Sequence, residues 1–103
     1  MRFSDNRSRH CLTVHLGCWI DKEERAIAGS YTTVKSVEEC RERAEREGWT
    51  VFAVQKGTEC YTPANAGDTY MEQGKGTGCV NGMGGGWRND VYEIKCTVPG
   101  KQI

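Results

Sequence analysis

Apolar and polar positions change their spacing several times along this chain, and each change marks an element. From Leu12 to Trp19 the residues alternate, with Val14, Leu16 and Cys18 on one side, a period-two strand signal. At Ser36 the period lengthens: Val37, Cys40 and Ala44 fall at i, i+3 and i+7, one inward stripe of a helix. Ser36 and Glu39 form an S-x-x-E capping box, and Gly48 supplies a left-handed terminator. On the outer face, Glu39 with Arg43 and Glu42 with Arg46 are spaced as i,i+4 ion pairs, so the charge run 38–47 reads as a solvated helix face. Thr50 to Gln55 is apolar on both faces, which suits a central strand of a sheet. Gly57 turns the chain into Glu59-Cys60-Tyr61, and Val91 to Lys95 closes as an alternating strand. Asp21 to Ser30 is a charged loop with one large apolar residue, Ile27. Pro63 to Asn89 is rich in Gly, Asn, Thr and Asp, the composition of turns and ordered loop.

These elements predict an α+β domain in which one helix packs on a few antiparallel strands and a long Gly-rich loop completes the fold. Residues 1–10 read as a flexible N-terminal arm, 11–96 as a single domain and 97–103 as a C-terminal tail. Only 37% of the 103 residues are apolar and thirteen are glycine, so the core is modest for a domain of this size.

Six cysteines change that picture. Cys11, Cys18, Cys40, Cys60, Cys79 and Cys96 are even in number, widely spaced and contain no C-x-x-C pair. The two histidines, His10 and His15, lie beside the first cysteines rather than on a second ligand pair, so zinc is disfavoured. A disulfide framework is the stronger reading, and it implies an oxidising, secreted or extracellular setting. The first ten residues lack the apolar stretch of a secretory signal; the expectation is a signal already removed or a domain taken from a longer secreted protein. Asn6-Arg7-Ser8 is a glycosylation sequon.

Formal net charge is zero, from fourteen basic and fourteen acidic side chains. Nucleic acid is therefore not the expected partner, since phosphate binding draws on a basic excess. No apolar run approaches the length of about 18 residues that a spanning helix needs, so membrane insertion is not expected.

Several stretches resemble the WSC domain and related extracellular invertebrate domains. They are Leu16-Gly17-Cys18-Trp19 with Asp21, Arg25-Ala26-Ile27, Ser36-Val37-Glu38-Glu39-Cys40, and Gly48-Trp49-Thr50-Val51-Phe52-Ala53-Val54-Gln55 leading into Gly57-Thr58-Glu59-Cys60-Tyr61. Gly85-Gly86, Asn89 and the strand through Tyr92 complete the match, which runs from about residue 16 to 94. The chain departs from the family where two further cysteines usually stand; those positions are Ala44 and Thr62. The resemblance implies a Cys40–Cys60 bond from helix to strand, a Cys11–Cys96 staple flanking the matched region, and a Cys18–Cys79 bond. It also implies carbohydrate binding to cell-surface or cell-wall polysaccharide, and no catalysis.

For such a site, Gly84-Gly85-Gly86-Trp87-Arg88-Asn89-Asp90 offers an aromatic plate beside planar hydrogen-bonding groups, with glycines that let a ligand or another chain approach the backbone. Trp87 would stack, Arg88, Asn89 and Asp90 would bond hydroxyls, and Tyr61 and Tyr70 would extend the platform. The alternative is that Trp87 fills the small core while Asn89 or Asp90 ties the loop to the sheet. Trp19 and Trp49 are expected in the core.

Other chemistry is poorly supported. The triple glycine lacks the G-K-[ST] ending of a phosphate loop. Asp21, Asp68 and Asp90 are too dispersed for a readable calcium loop. A nucleophile built from His15 and a cysteine would need a spare thiol, and paired glycosidase carboxylates a deeper cleft than a chain this short can frame. No cofactor or metal is expected. The expectation is a secreted, lectin-like glycan-binding module; the rival is a secreted protein-interaction or effector domain that engages a receptor.

Overall fold

The computed structural model describes residues 10–22, 27 and 30–97. The expected arm, most of the charged loop and the tail from residue 98 lie outside the described residues.

Five strands form one antiparallel sheet in the order β1-β5-β3-β4-β2. They are β1 (His10–Ile20), β2 (Thr32–Thr33), β3 (Val51–Gln55), β4 (Glu59–Tyr61) and β5 (Arg88–Thr97). Two helices are described, α1 (Val37–Glu47) and the short α2 (Ala66–Thr69). The domain is small, mixed and strand-dominated, and three disulfides hold it: Cys11–Cys96, Cys18–Cys79 and Cys40–Cys60.

The sheet is covered on both faces, which explains the apolar run of β3 in its middle. Phe52 and Val54 point to one side with Cys60, Tyr92 and Ile94, under Cys40 and Ala44 of α1. Ala53 points to the other side with Tyr61 and Val91, under Trp19, Ile27 and Ala66. The Phe52 and Tyr92 rings stack at 5.3 Å on the helix side.

α1 begins and ends where its sequence says. The Ser36 hydroxyl accepts from the Glu39 amide at 3.1 Å, and the Glu39 carboxylate accepts from the Lys35 amide at 2.7 Å. Gly48 closes the helix at φ 86, with its amide directed to the Ala44 and Glu45 carbonyls. The outer ion pairs differ from the expected ones. Because Glu39 is engaged by the Lys35 amide, Arg43 turns instead to Glu47 at 2.9 Å. Arg41 lies 3.9 Å from Glu45, and Glu42–Arg46 does not form. Glu47 also accepts from the Thr62 hydroxyl. That hydrogen bond and the Arg43 guanidinium hold the Glu47 carboxyl below its ordinary value.

Three expectations are corrected. The alternation of β1 does not persist, because the pairing with β5 shifts register between His15 and Gly17. Val14 stands opposite Glu93 and Cys18 opposite Asp90, three residues apart on β5 and therefore on opposite faces. The irregularity lets the Trp19 indole fold back to donate to the Leu16 carbonyl at 3.2 Å, over Gly17 at φ 125. A Cβ at Gly17 would sit 3.2 Å from the indole nitrogen. Trp19 is thus in the core, as expected. Trp49 is not: directly after the helix cap it is 40% exposed. Finally, the long Gly-rich stretch holds α2 and pairs with β1, through a bridge between Trp19 and Lys75.

Candidate functional site

Of the residues singled out for a glycan site, Trp87, Arg88, Asn89 and Asp90 lie at one end of the sheet, where β5 begins. Gly85 and Arg88 exchange two backbone hydrogen bonds of 3.1 Å, making a tight turn with Gly86 and Trp87 at its tip. Trp87 occupies the second tip position at φ 55. Glycine and asparagine suit that left-handed position; a large side chain there costs roughly 1–2 kcal/mol. Trp87 is nevertheless 45% exposed, so the core-filling alternative does not hold.

Behind the turn the interior is polar. Asn89 is fully buried and pairs across the strands with Gln55, whose Nε2 donates to Asn89 Oδ1 at 2.9 Å and to Asp21 Oδ2 at 3.0 Å. Asn89 Nδ2 is buried without a hydrogen-bond partner among the described residues. On the opposite face, the buried Asp90 accepts from the Gly84 amide at 2.9 Å and meets His15 Nε2 at 2.6 Å. The Tyr92 hydroxyl donates to the Gly82 carbonyl at 2.5 Å, and burial, with the Asp90 charge behind it, pushes its pKa up to about 12. The chain from Gly82 to Arg88 is thereby tied to the sheet at several points.

Asn89 and Asp90 therefore stand behind the turn and support it, rather than presenting hydrogen bonds to a surface ligand. Arg88 is likewise a brace. Its Nε donates to the Thr77 carbonyl at 2.7 Å and its Nη1 to the Trp87 carbonyl at 2.8 Å. The same Trp87 carbonyl accepts from the Asp21 amide at 3.0 Å. Tyr61 is buried, donating to Glu59 and packed against the Tyr31 ring at 5.7 Å. Tyr70 is half-buried, edge-on to Trp19 at 5.2 Å. Neither tyrosine extends an exposed plate with Trp87.

The glycines also divide by role. A Cβ on Gly84 would lie 2.2 Å from the Val54 carbonyl, and one on Gly85 would lie 2.3 Å from that of Gly78. These two admit neighbouring backbone. Gly86 faces open space.

Beside the turn lies an open hollow of about 570 Å³, lined by Lys56, Val80, Asn81, Met83 and Gly86 among others. Lys56 and Asn81, at φ 57 and 55, are residues the sequence reading did not single out. A signal exists for Asn81, since Asn-Gly pairs mark tight turns; Lys56 carries none of its own.

Among the described residues no group of three or more His, Cys, Asp or Glu side chains is placed to hold a metal, and no helix is long and apolar enough to cross a membrane. No protein-family model matches the chain, and no curated protein matches it.

Proposed function

We propose that this chain is a secreted, lectin-like module that binds glycan without catalysis, with the Trp87 turn as its contact point. The observation that carries the reading is the indole of Trp87, exposed on a position whose backbone disfavours any large side chain. Strain of this kind, maintained by an over-determined surrounding, points toward function. The hydrogen bonds beneath the turn fix the backbone that carries the indole before any ligand arrives, which lowers the ordering cost of binding. An indole face suits the apolar face of a sugar ring. Lys56 and Asn81, lining the adjoining hollow, supply hydrogen-bonding groups for its hydroxyls. Three disulfides in so short a chain support the extracellular setting, as does the resemblance to WSC domains.

One feature favours the rival reading of a protein-interaction domain: Val80, lining the hollow, is 60% exposed, and an exposed Trp such as Trp87 is a residue type enriched in protein hot spots. A glycan array probed with the wild-type domain and Trp87→Ala separates the two. Saturable, sugar-competable binding that Trp87→Ala removes supports the glycan reading. A silent array contradicts it.

A further inference from the structure

A second exposed tryptophan stands at the other end of the molecule, roughly 20 Å away along β5. Trp49 is held from both sides. Its own amide donates to the Ala44 carbonyl at 2.9 Å, and the next residue, Thr50, accepts from the Ile94 amide at 2.7 Å. The backbone at Trp49 is thus fixed between the helix end and β5, and the residue lines a groove of about 810 Å³. One wall of that groove is α1, presenting Arg41, Glu42, Glu45 and Arg46; the other includes the Cys11–Cys96 disulfide. The volume falls within the range of small-ligand sites.

The charges on the groove wall are arranged differently from those on the rest of the helix. Arg43 and Glu47 satisfy each other at 2.9 Å, as a solvated helix face does. On the groove side, Arg41 and Glu45 remain 3.9 Å apart. Among the described residues Glu42 and Arg46 form no ion pair at all, although their spacing permits one. The sequence of signs along the wall is plus, minus, minus, plus. An anion would be opposed by Glu42 and Glu45, and a cation by Arg41 and Arg46. A neutral polyhydroxylated ligand meets no such opposition, because each hydroxyl can donate to a carboxylate and accept from a guanidinium.

We infer that this groove is a second binding site, for a neutral saccharide, with Trp49 as the stacking plate and Glu42 and Arg46 as hydroxyl partners. It shares with the Trp87 reading only the class of ligand, and either site can exist without the other.

Nitrogen-15 NMR of the whole domain tests it, because three tryptophans give three assignable indole N–H signals. The probes are chitohexaose, laminarihexaose and mannohexaose as neutral saccharides, and heparin as the anionic control. The expected result is a saturable shift of the Trp49 signal with at least one neutral probe and none with heparin. Affinity at that signal should fall by about tenfold in Arg46→Gln and be unchanged in Trp87→Ala. The signal of buried Trp19 reports whether each variant is folded. Arg46 lies on the helix exterior, so its replacement leaves the core intact. A Trp49 signal that no neutral probe moves, or that heparin moves instead, overturns the inference. A shift confined to Trp87 also overturns it while supporting the first site; a shift confined to Trp49 does the reverse.

Discussion

The two ends of β5 are held by different chemistry. From Tyr92 to Cys96 the strand turns Tyr92 and Ile94 into an apolar setting, against Phe52 and the helix, with a disulfide at its edge. From Arg88 to Asp90 the buried partners are Gln55, Asp21 and a loop amide, joined by directed hydrogen bonds. Apolar packing tolerates many arrangements of similar volume, whereas a buried polar network permits few. The polar end is also where the chain holds Trp87 in an unfavourable conformation. The difference teaches that the polar interior serves to impose one geometry on the turn, while the apolar end is held by packing that imposes none so strictly.

The largest loss should follow removal of the inner disulfide, Cys40–Cys60, which lies in the apolar cluster under the helix. Cys40 and Cys60 are fully buried, whereas Cys11 is partly and Cys96 largely exposed. By chain entropy alone, the outer bond, closing 85 residues, should contribute about 4.6 kcal/mol, and the inner, closing 20, about 3.3. The double variant Cys40→Ser/Cys60→Ser also leaves two hydroxyls in an apolar core, at about 1–3 kcal/mol each. It should therefore lose about 5 kcal/mol or more and show no cooperative melt. Cys11→Ser/Cys96→Ser should retain a cooperative melt at lower temperature. Equal losses in thermal scans would refute the ranking.

At the polar end, Asp90→Ala removes the acceptor for the Gly84 amide and the partner of His15. The expected loss is about 3 kcal/mol in urea titration, with displacement of the Gly84 and Trp87 amide resonances. A destabilised variant in which those resonances stay in place would show that the network does not set the turn.

Tyr92 couples the two ends, and its effect should be smaller and visible only at high pH. Its phenol keeps its proton in the folded protein to about 12, against 10 for the ordinary value. The unfolded chain therefore releases that proton first. The associated stability is complete below about pH 10 and lost as pH rises through about 12, to an extent of about 2 kcal/mol. Tyr92→Phe should lack this alkaline slope, and an unchanged slope in urea titrations across that range would contradict it.

Legibility in the sequence followed the same division. The helix could be read because Ser36, Glu39 and Gly48 act within a few residues of the amides and carbonyls they satisfy. The central place of β3 could be read because it is apolar on both faces. The disulfide partners came from the resemblance to WSC domains; the residues alone left them open. The register shift near Leu16 was not readable, since it depends on how β5 pairs with β1 and where the Trp19 indole fits. Nor was the burial of Asn89 and Asp90. Their partners Gln55 and His15 lie 34 and 75 residues away, so the sequence left open whether these two side chains face a ligand or tie the loop to the sheet. Trp49 was expected in the core because it stands between the helix end and the central strand, but directly after the left-handed cap it is exposed.

The most direct test of the Trp87 turn is Trp87→Gly, with melting and glycan affinity measured on the same sample. Glycine relieves a left-handed strain of roughly 1–2 kcal/mol and gains about 0.4–1 kcal/mol of unfolded-state freedom in opposition. Stability should accordingly stay within about 1 kcal/mol of the wild type, or rise, while binding of the array-identified glycan at the turn is lost. A folded Trp87→Gly domain that binds that glycan as tightly as the wild type would contradict the account.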